Sequence, residues 1–132
     1  MKLYGAQSYF TTQEFACKCG CGFGSQESDI SEKLIRYLNE VRKLYGNPMT
    51  VNSGARCTTY NASIGGKPNS AHLPNPSTHQ CEAVDISISG GNQRYLLMKM
   101  GIYSGFRRLG LADDFIHFDV AQHLPEEVIW VY

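Results

Sequence analysis

The chain has 132 residues, a length typical of one domain, and its twelve Lys and Arg residues balance its twelve Asp and Glu residues to a formal net charge of zero. The lack of a basic excess argues against a nucleic-acid-binding protein, and the hydrophobic content of 42% excludes a disordered chain. No apolar run approaches the roughly 20 residues of a membrane span. We therefore predict a single domain over residues 1–132, with neither a nucleic acid nor a membrane as partner.

Five cysteines are distributed unevenly, with Cys17, Cys19 and Cys21 close together and Cys57 and Cys81 apart. An odd number disfavours a closed set of disulfides. Structural zinc sites usually space their cysteines two to four residues apart, and alternate residues of an extended chain point in opposite directions. We therefore expect buried or free thiols here and not a structural metal site.

The first predicted element is a helix that starts near Asp29, because apolar residues recur with helical spacing as far as Leu44. Asp29 and Glu32 have the spacing of a capping box, and the sequence Gly-Asn-Pro at 46–48 ends the helix. A short strand is predicted at 49–53. The polar, glycine-rich stretch that follows, to about residue 80, is longer than most structureless loops, which favours a functional segment.

Two alternating strands are predicted at 82–89 and 115–120, with a helix at 92–103 between them and a last strand at 128–132. In the first strand Asp85 lies on the face opposite Val84 and Ile86. In the second strand His117 and Asp119 lie on the face opposite the apolar residues. These elements predict a small α+β domain in which helices pack on a largely antiparallel sheet.

The polar faces of these strands carry residues of the types that commonly bind metal ions in proteins. Asp85 lies on one strand and His117 on the other, and the long loop that contains His72 and His79 leads into the first. Two histidines and one carboxylate are the protein ligands of many catalytic zinc sites. The pattern alone leaves an ordinary alternative open, in which Asp85 is an exposed carboxylate and His117 a hydrogen-bonded surface histidine.

Five sequence motifs occur in a fixed order along the chain. They are Ser-Gly-Ala-Arg at 53–56, Tyr-Asn-Ala-Ser-Ile-Gly-Gly at 60–66, Asn-Ser-Ala-His at 69–72, Glu-Ala-Val-Asp-Ile at 82–86 and Phe-Ile-His-Phe-Asp-Val at 115–120. With these motifs the chain resembles the zinc D-alanyl-D-alanine carboxypeptidase family (metallopeptidase family fifteen), particularly its compact phage and bacterial peptidoglycan peptidases. Residues 14–22 and 130–132 extend the resemblance to nearly the whole chain, and the implied fold is that of Hedgehog and D-Ala-D-Ala-peptidase domains.

The resemblance implies a role for each residue that matches a family motif. Zn²⁺ would be bound by His72, Asp85 and His117. Asp114, three residues before His117, would be the general base, and its neighbour Asp113 is the competing candidate. Arg56 would stabilise the developing oxyanion or bind a substrate carboxylate.

Two histidines are candidates for the first metal ligand. The family places this ligand about seven residues before the aspartate, and neither His72 nor His79 has that spacing to Asp85. His72 then requires a loop about six residues longer, and His79 requires a deletion of one residue. We choose His72, since residues 65–72 match the family closely and residues 73–76 have the composition of an inserted turn.

The resulting prediction is a zinc metallopeptidase that hydrolyses the peptidoglycan stem peptide, either as a D-Ala-D-Ala carboxypeptidase or as an L,D-endopeptidase of the endolysin type. The alternative is a non-catalytic, zinc-stabilised binding domain, Hedgehog-like or cell-wall-binding. Since the N-terminus lacks the apolar stretch of a signal peptide, we expect cytoplasmic synthesis and action at the cell wall, as a monomer.

Overall fold

The computed structural model describes residues 1–132. Its helices are α1 (Thr12–Phe15), α2 (Glu32–Tyr45), α3 (Thr58–Ser63) and α4 (Gly91–Ser104), and a short 3-10 helix spans Glu27–Asp29. Its strands are β1 (Val51–Ser53), β2 (Ala83–Ser87), β3 (Arg108–Leu111), β4 (Phe115–Asp119) and β5 (Val128–Val131). The longest helices have 14 residues, and none has the length and apolar character needed to cross a membrane.

The five strands form one mixed sheet in the order β1-β2-β4-β3-β5. The pairs β1–β2, β2–β4 and β3–β4 are antiparallel, and only β3–β5 is parallel. The predicted α+β class and the largely antiparallel sheet are therefore confirmed. Three elements, α1, α3 and β3, were not predicted, and α3 lies inside the stretch that the sequence assigned to a loop.

The helix α2 begins three residues later than the sequence predicted, at Glu32 and not near Asp29. Its N-cap is Ser31, whose hydroxyl accepts a hydrogen bond from the backbone N–H of Leu34 at 3.2 Å. The predicted capping box of Asp29 and Glu32 is wrong, because Asp29 belongs to the preceding 3-10 helix. The predicted end is confirmed, since Gly46 adopts a left-handed φ of 74° that stops the helix.

The hydrophobic core lies on one face of the sheet. The helix α4 packs on β4, and α2 packs against α4. Fully buried core side chains on these elements are Leu34, Ile35, Leu38, Val41, Val84, Ile86, Leu97, Ile116 and Phe118. Because strand residues alternate between faces, the polar residues between these apolar ones lie on the opposite face, which the helices leave free.

One close contact fixes how α4 lies on the sheet. A Cβ atom built on Gly101 would be 2.3 Å from Cε1 of Phe118, whose ring stacks on Phe106 with centroids 4.7 Å apart. We expect Gly101→Ala to lower the free energy of unfolding by about 1–3 kcal/mol, because the ring cannot retreat without losing that stacking. Urea denaturation measures the change.

Gly91→Ala is the matched control, because it lies at the start of the same helix and an added Cβ would meet no atom within 4 Å. We expect it to leave stability unchanged or to raise it by up to about 1 kcal/mol, through helix propensity. Equal stability of the Gly101→Ala and Gly91→Ala variants would contradict the proposed close packing.

Candidate metal centre and active-site cleft

The strand register places the predicted site residues in one row across the sheet. The row consists of Ser53, Asp85, His117, Gly110 and Trp130, which are register partners from β1 to β5. Partners in neighbouring strands have Cβ atoms about 5 Å apart on a common face. This face is opposite the hydrophobic core, as the alternation predicted, yet Asp85 and His117 are only 3% and 4% exposed.

His72 reaches this row from the segment between α3 and β2. Its ring Nδ1 lies 2.6 Å from the carbonyl oxygen of Gly54, which can only accept, so Nδ1 carries the proton. In the neutral ring the lone pair is then on Nε2, which is buried without a hydrogen bond although it lies 3.2 Å from Oδ1 of Asp85. Two electron-rich atoms at this distance repel each other unless a cation is shared between them.

His117 is held from both sides by carboxylates. Its Nδ1 lies 2.8 Å from Oδ1 of Asp85, and its Nε2 lies 2.7 Å from Oδ2 of Asp119. Asp119 is itself fixed, because its Oδ1 accepts hydrogen bonds from Nε of Arg108 at 2.7 Å and from the backbone N–H of Ala121 at 3.1 Å. Asp119 therefore keeps a proton on Nε2 of His117 and turns Nδ1 toward Asp85.

The pKa values of these groups follow from burial and from their mutual contacts. Burial raises the pKa of Asp85, but the attraction of the nearby His72 ring and the hydrogen bond from His117 outweigh it and hold the pKa well below its usual range. Burial lowers the pKa of His72. Burial also lowers the pKa of His117, but its hydrogen bonds to Asp119 and Asp85 outweigh burial and raise the pKa to about 8. The cluster therefore favours positive charge next to an ionised carboxylate.

These residues fit a divalent metal ion. One ligand atom from each of His72, Asp85 and His117 lies within 4.8 Å of the others. Two imidazole nitrogens and one carboxylate oxygen, with one coordination position left for water or substrate, are a common donor set of catalytic zinc sites. The unpartnered Nε2 of His72 is the observation that a metal ligand explains and an ordinary buried histidine does not.

Arg56 lies beside the candidate metal centre and is held by three side chains. Its NH2 group donates to Oδ2 of Asp85 at 3.1 Å, its NH1 group to Oδ1 of Asn61 at 3.2 Å, and its Nε to the hydroxyl of Ser53 at 3.0 Å. The guanidinium therefore orients the carboxylate of Asp85, so that Oδ1 points to the two histidines. The sequence predicted Arg56 near the site but not this positioning contact.

The candidate centre lies in a cleft of about 690 Å³. One wall is formed by residues 65–72, and the other by Leu124 and the chain end at 130–132. Trp130 stacks at an angle against His117, with ring centroids 5.2 Å apart. Gly110 makes room for it, since a Cβ there would be 2.6 Å from Nε1 of Trp130.

The structure does not bring Asp114 to the donor atoms. Asp113 and Asp114 are both exposed in the turn before β4, and neither lines the cleft. The carboxylate of Asp114 makes no hydrogen bond, while its backbone carbonyl accepts one from the N–H of Ile88. Asp114 precedes β4 and lies in the turn between β3 and β4, so the alternation of β4 does not place its side chain on the face of His117.

Of the two histidines in the long loop, the structure brings His72 and not His79 to Asp85. His79 is exposed with a φ of 61°, in a loop at 73–80 that closes on itself. Asn75 organises this loop, because its side-chain oxygen accepts the N–H groups of Ser77 and Thr78 and its backbone groups bond to His79 and Gln80.

The sequence interpretation missed Arg108 and Trp130 as parts of the site. Arg108 donates to Asp119, and its guanidinium also lies 5.0 Å from the ring centroid of Trp130. The available signal was the alternating segment Arg-Leu-Gly-Leu at 108–111, which forms β3 and places Arg108 and Gly110 on the face of His117.

The chain matches a known protein family over most of its length. The family model described as Peptidase M15 matches residues 8–119, which include the three candidate ligands and Arg56. This chain belongs to the peptidase M15 family. The relationship inferred from the sequence motifs is thereby confirmed, while no curated protein matches the chain significantly.

In this M15 domain, Asp119 is predicted to act through His117. In Asp119→Asn an amide can replace the carboxylate oxygen that faces Nε2, which favours the tautomer with its proton on Nδ1, the atom proposed to bind metal. We expect the affinity for Zn²⁺ to fall about 10- to 100-fold while the fold is kept. Competition with a chromophoric chelator measures the affinity.

Asp113→Asn serves as the control for the loss of one acidic side chain, because Asp113 is exposed and outside the cleft. It should bind Zn²⁺ like the unmodified protein. Unchanged affinity in Asp119→Asn would show that Asp119 does not position His117.

Proposed function

We propose that this M15 domain is a zinc-dependent peptidase that hydrolyses peptide bonds in the stem peptide of peptidoglycan. The observation that carries the proposal is the convergence of His72, Asp85 and His117 at a cleft, with Nε2 of His72 buried and unpartnered. The family match supports hydrolysis of a peptide, and the resemblance of the sequence motifs to peptidoglycan peptidases supports this substrate class.

The cleft suits a short peptide. Its volume of about 690 Å³ lies within the range of about 300–1,000 Å³ usual for small-ligand sites. Lys67 lies among the lining residues and provides positive charge for a substrate carboxylate, while Trp130 and Tyr132 provide aromatic surface.

A bound Zn²⁺ would polarise the scissile carbonyl and lower the pKa of a water molecule. Arg56 supports the same chemistry from the protein side. Its contacts to Ser53, Asn61 and Asp85 fix the guanidinium at the cleft wall and leave further N–H groups for a developing oxyanion or a substrate carboxylate.

We assign proton transfer to Asp114, on the strength of the family resemblance. Its carboxylate is exposed and free of hydrogen bonds, so the side chain is free to turn toward a bound substrate. Catalytic hydrogen bonds often tighten only in the substrate complex. The buried carboxylate of Asp119 is unsuited to this task, because both of its oxygens are engaged by His117, Arg108 and the N–H of Ala121.

Digestion of purified peptidoglycan tests the function directly. We expect the protein loaded with Zn²⁺ to release fragments with a shortened or cleaved stem peptide, a chelator to stop the release, and added Zn²⁺ to restore it. Mass spectrometry of the fragments identifies the bond and separates carboxypeptidase from endopeptidase activity. Binding to peptidoglycan without any fragment would favour the non-catalytic binding domain instead.

The assignment of Asp114 is tested by exchanging neighbouring carboxylates. We expect Asp114→Asn to lower kcat by about 10²- to 10⁴-fold with its zinc content unchanged, because a proton acceptor is lost while the metal ligands remain. Asp113→Asn should retain nearly full activity. If the two variants are equally active, Asp114 is not the general base.

A further inference from the structure

Four of the five cysteines form a cluster that the proposed peptidase site does not use. The sulfur atoms of Cys17, Cys19, Cys21 and Cys57 lie within 4.8 Å of one another, although Cys57 is far from the other three in sequence. The Sγ–Sγ distance is 3.5 Å between Cys17 and Cys19 and 3.6 Å between Cys19 and Cys57. All four are free thiols.

The local backbone explains why alternate cysteines converge. Alternate residues point in opposite directions only on an extended chain, whereas residues 17–23 form a tight loop closed by the hydrogen bond from the N–H of Cys17 to the carbonyl of Phe23 at 2.8 Å. Gly20 and Gly22 have φ values of 81° and 96°, a left-handed conformation that other residues rarely adopt. Gly20 reverses the chain between Cys19 and Cys21, and Gly22 turns it directly after Cys21, so that the cysteine side chains point toward one another.

The sulfur spacing is that of metal ligands. Tetrahedral Zn²⁺ with Zn–S bonds of about 2.3 Å places its sulfurs about 3.8 Å apart, close to the observed distances. A disulfide would require a separation of about 2.05 Å. Four cysteine ligands with no open position are typical of structural zinc sites, as opposed to catalytic ones.

Backbone N–H groups are directed at the sulfurs, as expected around thiolate ligands. The N–H of Cys57 donates to Sγ of Cys17 at 3.4 Å, and the N–H of Tyr60 donates to Sγ of Cys57 at 3.3 Å. A metal ion binds cysteine as the thiolate, and N–H donors stabilise this charged form.

We propose that Cys17, Cys19, Cys21 and Cys57 bind a second, structural zinc ion through four thiolates. Binding releases the four thiol protons and forms four Zn–S bonds, with no change of oxidation state. The site shares no ligand with the His–Asp centre, so it stands independently of the proposed peptidase activity.

The second zinc ion would fasten the N-terminal segment to the wall of the cleft. Cys57 directly follows Arg56 and caps α3, the helix that carries Asn61. The two segments also touch elsewhere, since the N–H of Ala55 donates to the carbonyl of Phe15 at 2.8 Å. A metal bound by Cys57 therefore fixes the backbone from which Arg56 reaches Asp85.

Zinc content of the full chain, purified under reducing conditions and measured by plasma mass spectrometry, tests the proposal. We expect two equivalents of zinc per chain, one equivalent in Cys21→Ser and one in His117→Gln. Cys81→Ala is the matched control and should keep two, because Cys81 is a buried thiol outside the cluster that donates to the carbonyl of Ala83. Two equivalents in Cys21→Ser, or none in His117→Gln, would overturn the proposal.

Cobalt substitution of the unmodified chain gives an answer that does not depend on whether the variants fold. Co²⁺ in the cluster should produce the strong thiolate-to-cobalt charge-transfer band and the visible bands of a tetrahedral four-sulfur site, lost on mercurial titration of the thiols. A cobalt spectrum without charge transfer, or an intact mass of the unreduced protein that shows two disulfides, would refute the site.

Discussion

The arrangement of the whole site depends on the carboxylate of Asp85 and its contacts. One oxygen faces Nε2 of His72 and Nδ1 of His117, and the other accepts from Arg56. These partners come from three separate parts of the chain, namely strand β4, the segment before β2 and the segment after β1. A single buried charge therefore determines how two loops and the central strands meet.

Burial of so much charge is stable only because each group has its partner. Two arginine–aspartate pairs, Arg56 with Asp85 and Arg108 with Asp119, lie on either side of His117. Removing one member of a buried pair typically costs about 3–5 kcal/mol, since the remaining charge is left uncompensated. The donor atoms are therefore held in position by ion pairs and hydrogen bonds within the protein.

The sequence predicted the positions of site residues correctly where the regular alternation of side chains along a strand determines them. Alternation placed Asp85 and His117 on a common face, and the motif before residue 72 selected the histidine that the structure brings to them. The prediction failed where the backbone departs from a regular strand or where an element is too short to show a pattern. The thiols converge through left-handed glycines, and β3 is short and contains Arg108 and Gly110. The role of Asp114 as general base was inferred from family spacing and stays a prediction.

The loop at 73–80 can vary in length without changing the positions of the candidate metal ligands. Its ends are fixed on one side by His72, whose carbonyl accepts from the N–H of Arg56, and on the other by Cys81, which exchanges backbone hydrogen bonds with Asp29 and Ser31. Between these anchors the turns around Asn75 satisfy the loop's own polar groups. Residues can therefore be inserted or removed here without moving a donor atom of the candidate metal centre.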